Sequence, residues 1–99
     1  MERVFFVYIL TSRPHGTLYI GMTNDLSRRV FEHRERVKKG FTDTYDVVRL
    51  VWYESHPMAM SAIQREKQIK KWRRDWKIRM IEEINPDWSD LYPSLASHL

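Results

Sequence analysis

Residues 17–33 read TLYIGMTNDLSRRVFEH, and the pattern of this stretch changes halfway along. Apolar side chains alternate at Leu18, Ile20 and Met22 among β-branched and aromatic neighbours, which predicts a half-buried strand. The three residues that follow can cap a helix through their side chains: Thr23, Asn24 and Asp25. We therefore expect a strand over residues 17–22 and a helix over residues 26–39 that ends at Gly40.

The segments on either side complete an α+β pattern. Residues 4–11 are β-branched and aromatic, and the turn sequence RPHG at residues 13–16 joins them to the first strand as a hairpin. Residues 47–54 predict a third strand, and residues 57–83 predict helix with an interruption near residues 73–75. The order ββαβαα predicts an α+β fold with a small antiparallel sheet flanked by helices. We expect one domain over residues 1–91 and a tail over residues 92–99, with Trp88 and Tyr92 docking on the core.

Composition narrows the function classes. The 99 residues are 42% hydrophobic and 13% aromatic, which is too apolar for a disordered chain. Because cysteine is absent, a disulfide framework, a thiolate zinc site and a cysteine nucleophile are all excluded. The longest apolar run near the N-terminus is too short for a membrane span, so we expect a cytoplasmic protein without membrane contact. Residues 65–79 carry eight Lys/Arg against two acids, which indicates either a surface that binds a polyanion or a solvated helix face.

Polar side chains occupy the apolar faces of both predicted helices. On a helical wheel His33 falls within the apolar stripe of residues 26–37, and Arg29 lies at its edge one turn earlier. Glu66 lies inside the apolar arc of the second helix, where an unpaired carboxylate is costly. His33 is thus either a core histidine or part of a site. Glu66 is either a salt-bridge partner of Arg29 or a Mg²⁺ ligand.

Two tyrosines extend this set. Tyr8 and Tyr19 lie on the two strands of the predicted hairpin, where the register allows them to share a face. They are either ordinary core tyrosines or members of one site with the polar residues above. Such a set suits phosphodiester hydrolysis, because a metal ion and an arginine stabilise phosphoryl oxygens while a phenol or imidazole takes a proton from water.

Five segments in this order, VYIL, LYIGMTNDLSRRVFEH, LVWYE, AIQREKQIKKW and NPDW, resemble the GIY-YIG nuclease superfamily. The chain is most similar to its small single-domain bacterial members, which are related to the N-terminal nuclease domain of the excision-repair endonuclease subunit. The resemblance covers residues 4–91. It implies a three-stranded antiparallel sheet with flanking helices, hydrolysis of phosphodiester bonds in DNA, a link to DNA repair, and a divalent cation, Mg²⁺ or Mn²⁺.

The resemblance also implies roles for individual residues. Five positions match the catalytic set of the family: Tyr8, Tyr19, Arg29, His33 and Glu66. Tyr19 matches the proposed general base, Arg29 the phosphate-facing arginine and Glu66 the metal ligand. Asn85 matches a downstream asparagine that supports catalysis in some relatives. Two positions depart from the family, since Phe6 and Met22 stand where relatives place a glycine and a lysine.

The remaining candidates concern substrate binding. Gly21 is either a strand end that needs no side chain or a point where phosphate approaches the backbone. Four basic residues are expected to contact backbone phosphates: Lys67, Lys70, Lys71 and Arg74. Trp72 and Trp76 recur at helical spacing with apolar neighbours, so we expect them in the core rather than stacked on bases.

The sequence favours a metal-dependent endonuclease acting on DNA, with RNA not excluded and with branched, damaged or flapped DNA as candidate substrates. The alternative is a nucleic-acid-binding module with weak or no catalysis. A third hypothesis is a small subunit that takes its target specificity from a partner protein or a second copy. An apolar-face carboxylate such as Glu66 favours the enzyme, because a pure binding module does not need one.

Overall fold

The computed structural model describes residues 3–38 and 47–96. Its strands are β1 (Phe5–Thr11), β2 (Leu18–Thr23) and β3 (Arg49–His56), and its helices are α1 (Leu26–Lys38), α2 (Ala59–Lys71), α3 (Arg74–Ile84) and α4 (Tyr92–Ala96). The strands form one antiparallel sheet in the order β2-β1-β3. The predicted α+β fold with a three-stranded antiparallel sheet is confirmed. Among the described helices, none combines the length and the apolar character needed to cross a bilayer.

Local signals set most of the helix boundaries. The Asp25 side chain caps α1, since its Oδ1 accepts a hydrogen bond from the backbone N–H of Arg28 at 3.2 Å. The predicted stop at Gly40 lies outside the described residues. The predicted interruption of the second helical stretch falls at Trp72 and Arg73, whose backbone is extended with ψ of 151° and 154°. Residues 59–84 therefore form two helices whose side-chain directions are independent of each other.

The sheet lies between two helical layers, because successive side chains of β1 point to opposite faces. The first layer is α2 with α3, which we call the α2 face, and its buried cluster includes Val7, Ile9, Ile20, Ala62, Ile69 and Ile81. The second layer is α1 with α4, which we call the α1 face, and its buried cluster contains Tyr8, Leu10, Leu26, Val30 and Leu50. Side chains of β1 and β2 therefore alternate between the α1 face and the α2 face, whereas in β3 a register shift places both Val51 and Trp52 on the α2 face.

The C-terminal segment is held against the domain through Asp90. Its Oδ1 accepts hydrogen bonds from the backbone N–H groups of Leu50 at 3.2 Å and Tyr92 at 3.0 Å, and its other oxygen pairs with Arg34. The Arg34 guanidinium also lies 4.5 Å from the centre of the Tyr92 ring. Trp88 is buried as well. Both aromatic residues of this segment thus pack on the domain, as the sequence suggested.

Candidate active site

The two tyrosines of the hairpin meet on the α1 face. The register pairs Tyr8 with Gly21 and Leu10 with Tyr19, so the side chains of Tyr8 and Tyr19 point to the same side of the sheet. Their ring centres are 6.2 Å apart. A Cβ atom at position 21 would lie 2.5 Å from Cζ of Tyr8 and 3.0 Å from Cε1 of Tyr19. Gly21 is therefore explained by packing, because the tyrosine rings fill the space that any side chain would need.

Tyr8 is the buried member of the pair. Its side chain is inaccessible to solvent, and its hydroxyl has no hydrogen-bond partner of good geometry among the described residues. Burial, with a smaller effect of the neighbouring Tyr19, raises the pKa of Tyr8 to about 12, although Arg29 opposes the shift. Tyr8 is consequently a neutral phenol at physiological pH, able to donate a hydrogen bond but not to act as a base.

Helix α1 brings His33 to the tyrosines. The His33 ring centre lies 5.2 Å from that of Tyr19 and 6.4 Å from that of Tyr8, in edge-to-face arrangements. Burial lowers the pKa of His33, and the positive charges of Arg29 and Arg36 lower it further. The imidazole is therefore neutral near pH 7 and can accept a proton.

Arg29 occupies the rim of this cluster, as the helical wheel suggested. Its side chain is 44% exposed and pairs with Glu32 at 3.4 Å, whereas Arg28 is 75% exposed and points further into solvent. The alternative salt bridge from Arg29 to Glu66 is not formed, because Glu32 is the carboxylate that Arg29 meets. The surface ion pair with Glu32 contributes little, so this half-exposed guanidinium can exchange it for a phosphate.

These side chains open on a groove of about 630 Å³ on the α1 face. Its lining residues are Tyr19, Arg29, Phe31, Glu32, His33, Glu35 and Arg36. Tyr19 is 43% exposed and thus presents its phenol to solvent, unlike Tyr8. The sequence did not single out Arg36 as a site residue. Its position could have been predicted, because a spacing of seven residues places Arg29 and Arg36 on the same helix face. The groove can bind an anion beside a phenol and a neutral imidazole.

Glu66 is not among the residues that line the groove. It belongs to α2, whose buried residues Ala62 and Ile69 pack on the α2 face. Its carboxylate is 21% exposed and pairs with Lys70 at 3.3 Å. Among the described residues, no hydrogen bond or ion pair joins it to the tyrosines, Arg29 or His33. No group of three potential metal-ligating side chains occurs in residues 3–38 and 47–96 either.

The predicted basic residues lie on the outer side of α2 and at the start of α3. Lys67, Lys70 and Lys71 are exposed. Arg74 is exposed too, but its guanidinium donates hydrogen bonds to the carbonyl oxygens of His15 at 2.6 Å and Gly16 at 2.7 Å. Arg74 thereby ties the hairpin turn to α3, a structural role that the sequence did not indicate. Its predicted contact with phosphate remains untested.

Asn85 has a structural role in this fold. It is buried, its Nδ2 donates to the carbonyl oxygens of Val51 at 3.0 Å and Ser89 at 2.9 Å, and its Oδ1 accepts from the backbone N–H of Ser89 at 3.1 Å. These bonds fix the turn after α3 against β3. The amide of Asn85 is hydrogen-bonded to these backbone groups, and a catalytic contribution from it stays a prediction.

Of the two tryptophans of the basic stretch, Trp72 packs against the buried cluster of the α2 face as predicted, whereas Trp76 contradicts the prediction. Trp72 is half-buried, but Trp76 is 45% exposed and does not belong to the core. The expectation failed because it read one helical spacing across the extended residues between α2 and α3. Once that connection breaks the helix, the position of Trp76 no longer follows from that of Ile69.

Comparison with known proteins agrees with the fold and with the family resemblance. The family model described as the GIY-YIG catalytic domain matches residues 4–79. A UPF0213 protein of Staphylococcus epidermidis is 35% identical over 78 residues, covering 79% of this chain and 94% of that protein, and one of Staphylococcus aureus has the same identity and coverage. The solution NMR structure of a UPF0213 protein from Bacillus halodurans is 27% identical, has a TM-score of 0.55, and is matched over 88% of this chain and 92% of that one. The chain belongs to the GIY-YIG catalytic domain family, a family of nucleases.

Proposed function

We propose that this protein is a divalent-metal-dependent endonuclease that hydrolyses phosphodiester bonds in DNA, with branched, flapped or damaged DNA as its substrate class. The observation that carries the proposal is the convergence of Tyr19, His33 and Arg29 on one groove. A phenol, a neutral imidazole and an exposed guanidinium are the groups that phosphoryl transfer to water requires from a protein. Their meeting on rigid elements, β2 and α1, supports catalysis over binding alone.

In the proposed mechanism Arg29 binds non-bridging oxygens of the scissile phosphate and stabilises the charge that grows on them. The Tyr19 hydroxyl positions the attacking water, and a ring nitrogen of His33 accepts its proton. The water oxygen bonds to phosphorus while the bond to the leaving oxygen breaks, and that oxygen takes a proton from solvent. Tyr8, neutral and buried, packs against the Tyr19 ring, and its hydroxyl donates a hydrogen bond to the Tyr19 oxygen when the substrate is bound.

The donor chemistry of Glu66 fits Mg²⁺ or Mn²⁺. Mg²⁺ is commonly held by one or two carboxylates, with water and phosphate oxygens at its other positions, so a single glutamate is sufficient. Glu66 is partly buried, and its one ion pair within residues 3–38 and 47–96 is with Lys70 of its own helix, which leaves carboxylate oxygen available to a ligand. When bound, the ion would supply charge stabilisation at the phosphoryl group.

The experiment is a nicking assay on supercoiled plasmid and on branched and flapped oligonucleotide duplexes, with Mg²⁺ or Mn²⁺. We expect Tyr19→Phe and Glu66→Ala to lower the cleavage rate by about 100-fold or more, the size expected for a lost catalytic contact. Arg29→Ala should behave alike.

Arg28→Ala is the matched control for Arg29→Ala. Both arginines pair with Glu32, at 3.5 Å and 3.4 Å, but only Arg29 lines the groove. The control should cleave within about twofold of the wild type, as surface ion pairs contribute little. If the wild type binds DNA but cleaves no faster than Tyr19→Phe and Glu66→Ala, the alternative of a non-catalytic binding module replaces the enzyme.

A further inference from the structure

An aromatic surface lies at the junction of α2 and α3, away from the tyrosine groove. Trp72 and Trp76 meet there edge to face, with ring centres 6.1 Å apart. The guanidinium of Arg65 lies 5.3 Å from the centre of the Trp72 ring, and that of Arg73 lies 5.2 Å from the centre of the Trp76 ring. We call these four residues the tryptophan surface.

Stability of the fold does not account for an exposed Trp76. The other two tryptophans, Trp52 and Trp88, are 4% and 2% exposed and belong to the core, whereas Trp76 leaves 45% of its surface in water. Large apolar side chains exposed within a polar rim commonly mark binding sites. The exposed indole face of Trp76 is therefore suited to a ligand that is flat and apolar.

The positive charge around Trp76 favours a ligand that is negatively charged. A groove of about 290 Å³ is lined by Arg65, Trp72, Trp76, Arg79, Met80 and Glu83. Residues 65–79 carry eight Lys/Arg against two acids, a net charge of +6 before any pairing. Arg65 pairs with Glu54 at 3.0 Å, whereas the one ion pair of Arg73 in the described part of the chain is a highly exposed contact with Asp75 at 3.4 Å. Such a pair contributes little, so the Arg73 guanidinium can move aside or stack over an incoming ring.

We propose that the tryptophan surface binds unpaired nucleotides of a DNA strand, with a base stacked on Trp76 and the flanking phosphates held by the surrounding lysines and arginines. Base stacking on aromatic side chains inside a positively charged groove is how proteins bind single strands without reading sequence. The strong positive charge favours nucleic acid over an apolar protein partner. The proposal rests on the proposed function, since it names an unpaired segment as part of the DNA substrate.

The test measures binding in metal-free buffer with EDTA, so that cleavage plays no part. Fluorescence anisotropy of a labelled oligothymidylate and of a labelled duplex gives the two Kd values, and tryptophan fluorescence gives a second readout. Because Trp52 and Trp88 are buried, quenching by oligothymidylate reports on Trp72 and Trp76. We expect Trp76→Leu to weaken oligothymidylate binding about 5- to 100-fold, the loss of one stacked base, and to change duplex binding less than about twofold.

Two further variants keep this result interpretable. Trp76→Phe retains an aromatic face and should bind oligothymidylate within about threefold of the wild type. Ile84→Ala removes another exposed apolar side chain of α3, 62% exposed, that is absent from the groove lining, and should leave both affinities unchanged. Equal weakening of single strand and duplex by Trp76→Leu, or no weakening at all, would overturn the proposal.

The binding measurement tests the tryptophan surface independently of the cleavage assay, which tests the nuclease proposal. If the wild type does not cleave DNA but loses single-strand binding on Trp76→Leu, the tryptophan surface stands and the nuclease proposal fails. If the wild type cleaves DNA while Trp76→Leu binds oligothymidylate normally, only the tryptophan surface fails.

Discussion

Replacing Tyr8 by phenylalanine should separate stability from activity in this protein. The change removes one atom, a hydroxyl oxygen that is buried and without a hydrogen-bond partner among the described residues. Arg29 and Tyr19 lie close enough to influence its pKa, but neither reaches it with hydrogen-bond geometry. We expect Tyr8→Phe to be as stable as the wild type or more stable, and to cleave DNA more slowly.

The magnitude follows from two opposed effects. A buried hydroxyl left unpaired costs about 1–3 kcal/mol relative to its hydrated state in the unfolded chain. Its removal leaves a space smaller than a methyl group, for which about 1 kcal/mol is an upper bound. With about 1 kcal/mol subtracted for this space, the free energy of unfolding should rise by about 0–2 kcal/mol. For a domain of this length each 1 kcal/mol shifts Tm by about 4–8 °C, so Tm should rise by up to about 16 °C.

The assay is urea and thermal denaturation followed by circular dichroism, beside the nicking assay. Tyr53→Phe is the control, because Tyr53 is a half-buried tyrosine of β3 whose ring packs on Phe6 rather than lining the groove. Tyr8→Phe should slow cleavage at least about tenfold, while Tyr53→Phe keeps the wild-type rate. A loss of more than about 1 kcal/mol in Tyr8→Phe, with Tyr53→Phe unaffected, would refute the reasoning by showing that the hydroxyl is hydrogen-bonded in the folded protein.

Three other changes test the fold around the site. Gly21→Ala should lower the free energy of unfolding by about 1–3 kcal/mol in urea denaturation, because its Cβ would lie 2.5 Å from Cζ of Tyr8; unchanged stability would contradict that packing. The pKa of His33 in the folded protein is below its unfolded value of about 6.5, so the folded protein binds fewer protons than the unfolded chain and loses stability as pH falls from about 6.5 towards the folded pKa. The drop in Tm from pH 8 to pH 5 should therefore be smaller in His33→Gln than in the wild type. An identical drop in the two proteins would contradict the lowered pKa. Asp90→Ala should cost about 2–4 kcal/mol and speed hydrogen exchange in α4, because it unpairs Arg34 and two backbone N–H groups, whereas Asp90→Asn, which keeps an acceptor oxygen, should cost less; equal losses would show that charge alone matters.

The elements themselves were predictable because their signals are local. Alternation at residues 18–22, the cap at Asp25 and the apolar stripe of α1 each depend on neighbours within a few positions, and the structure places β2 and α1 within one or two residues of expectation. Strand alternation likewise predicted that Tyr8 and Tyr19 share a face. The arrangement of Arg29 and His33 followed from the same helical wheel.

What failed depends on contacts between distant parts of the chain. The expected place of Trp76 required a continuous helix, and the extended residues at 72 and 73 broke that register. Arg74 meets the hairpin turn nearly 60 residues earlier, which no local pattern reveals. The proposed pair of Glu66 with Arg29 failed for a similar reason, because a helical wheel shows that a helix has an apolar face but not which side of the sheet that face covers.

The two departures from the family motif can now be placed on the sheet. Met22 of β2 pairs with Val7 of β1 and packs with the cluster of the α2 face. A lysine at this position would therefore project towards the layer formed by α2 and α3. Phe6 packs beside Tyr53 with the cluster of the α1 face. The missing lysine therefore leaves Tyr19, Arg29 and His33 unaltered, because a side chain at position 22 packs on the opposite face of the sheet from these three residues.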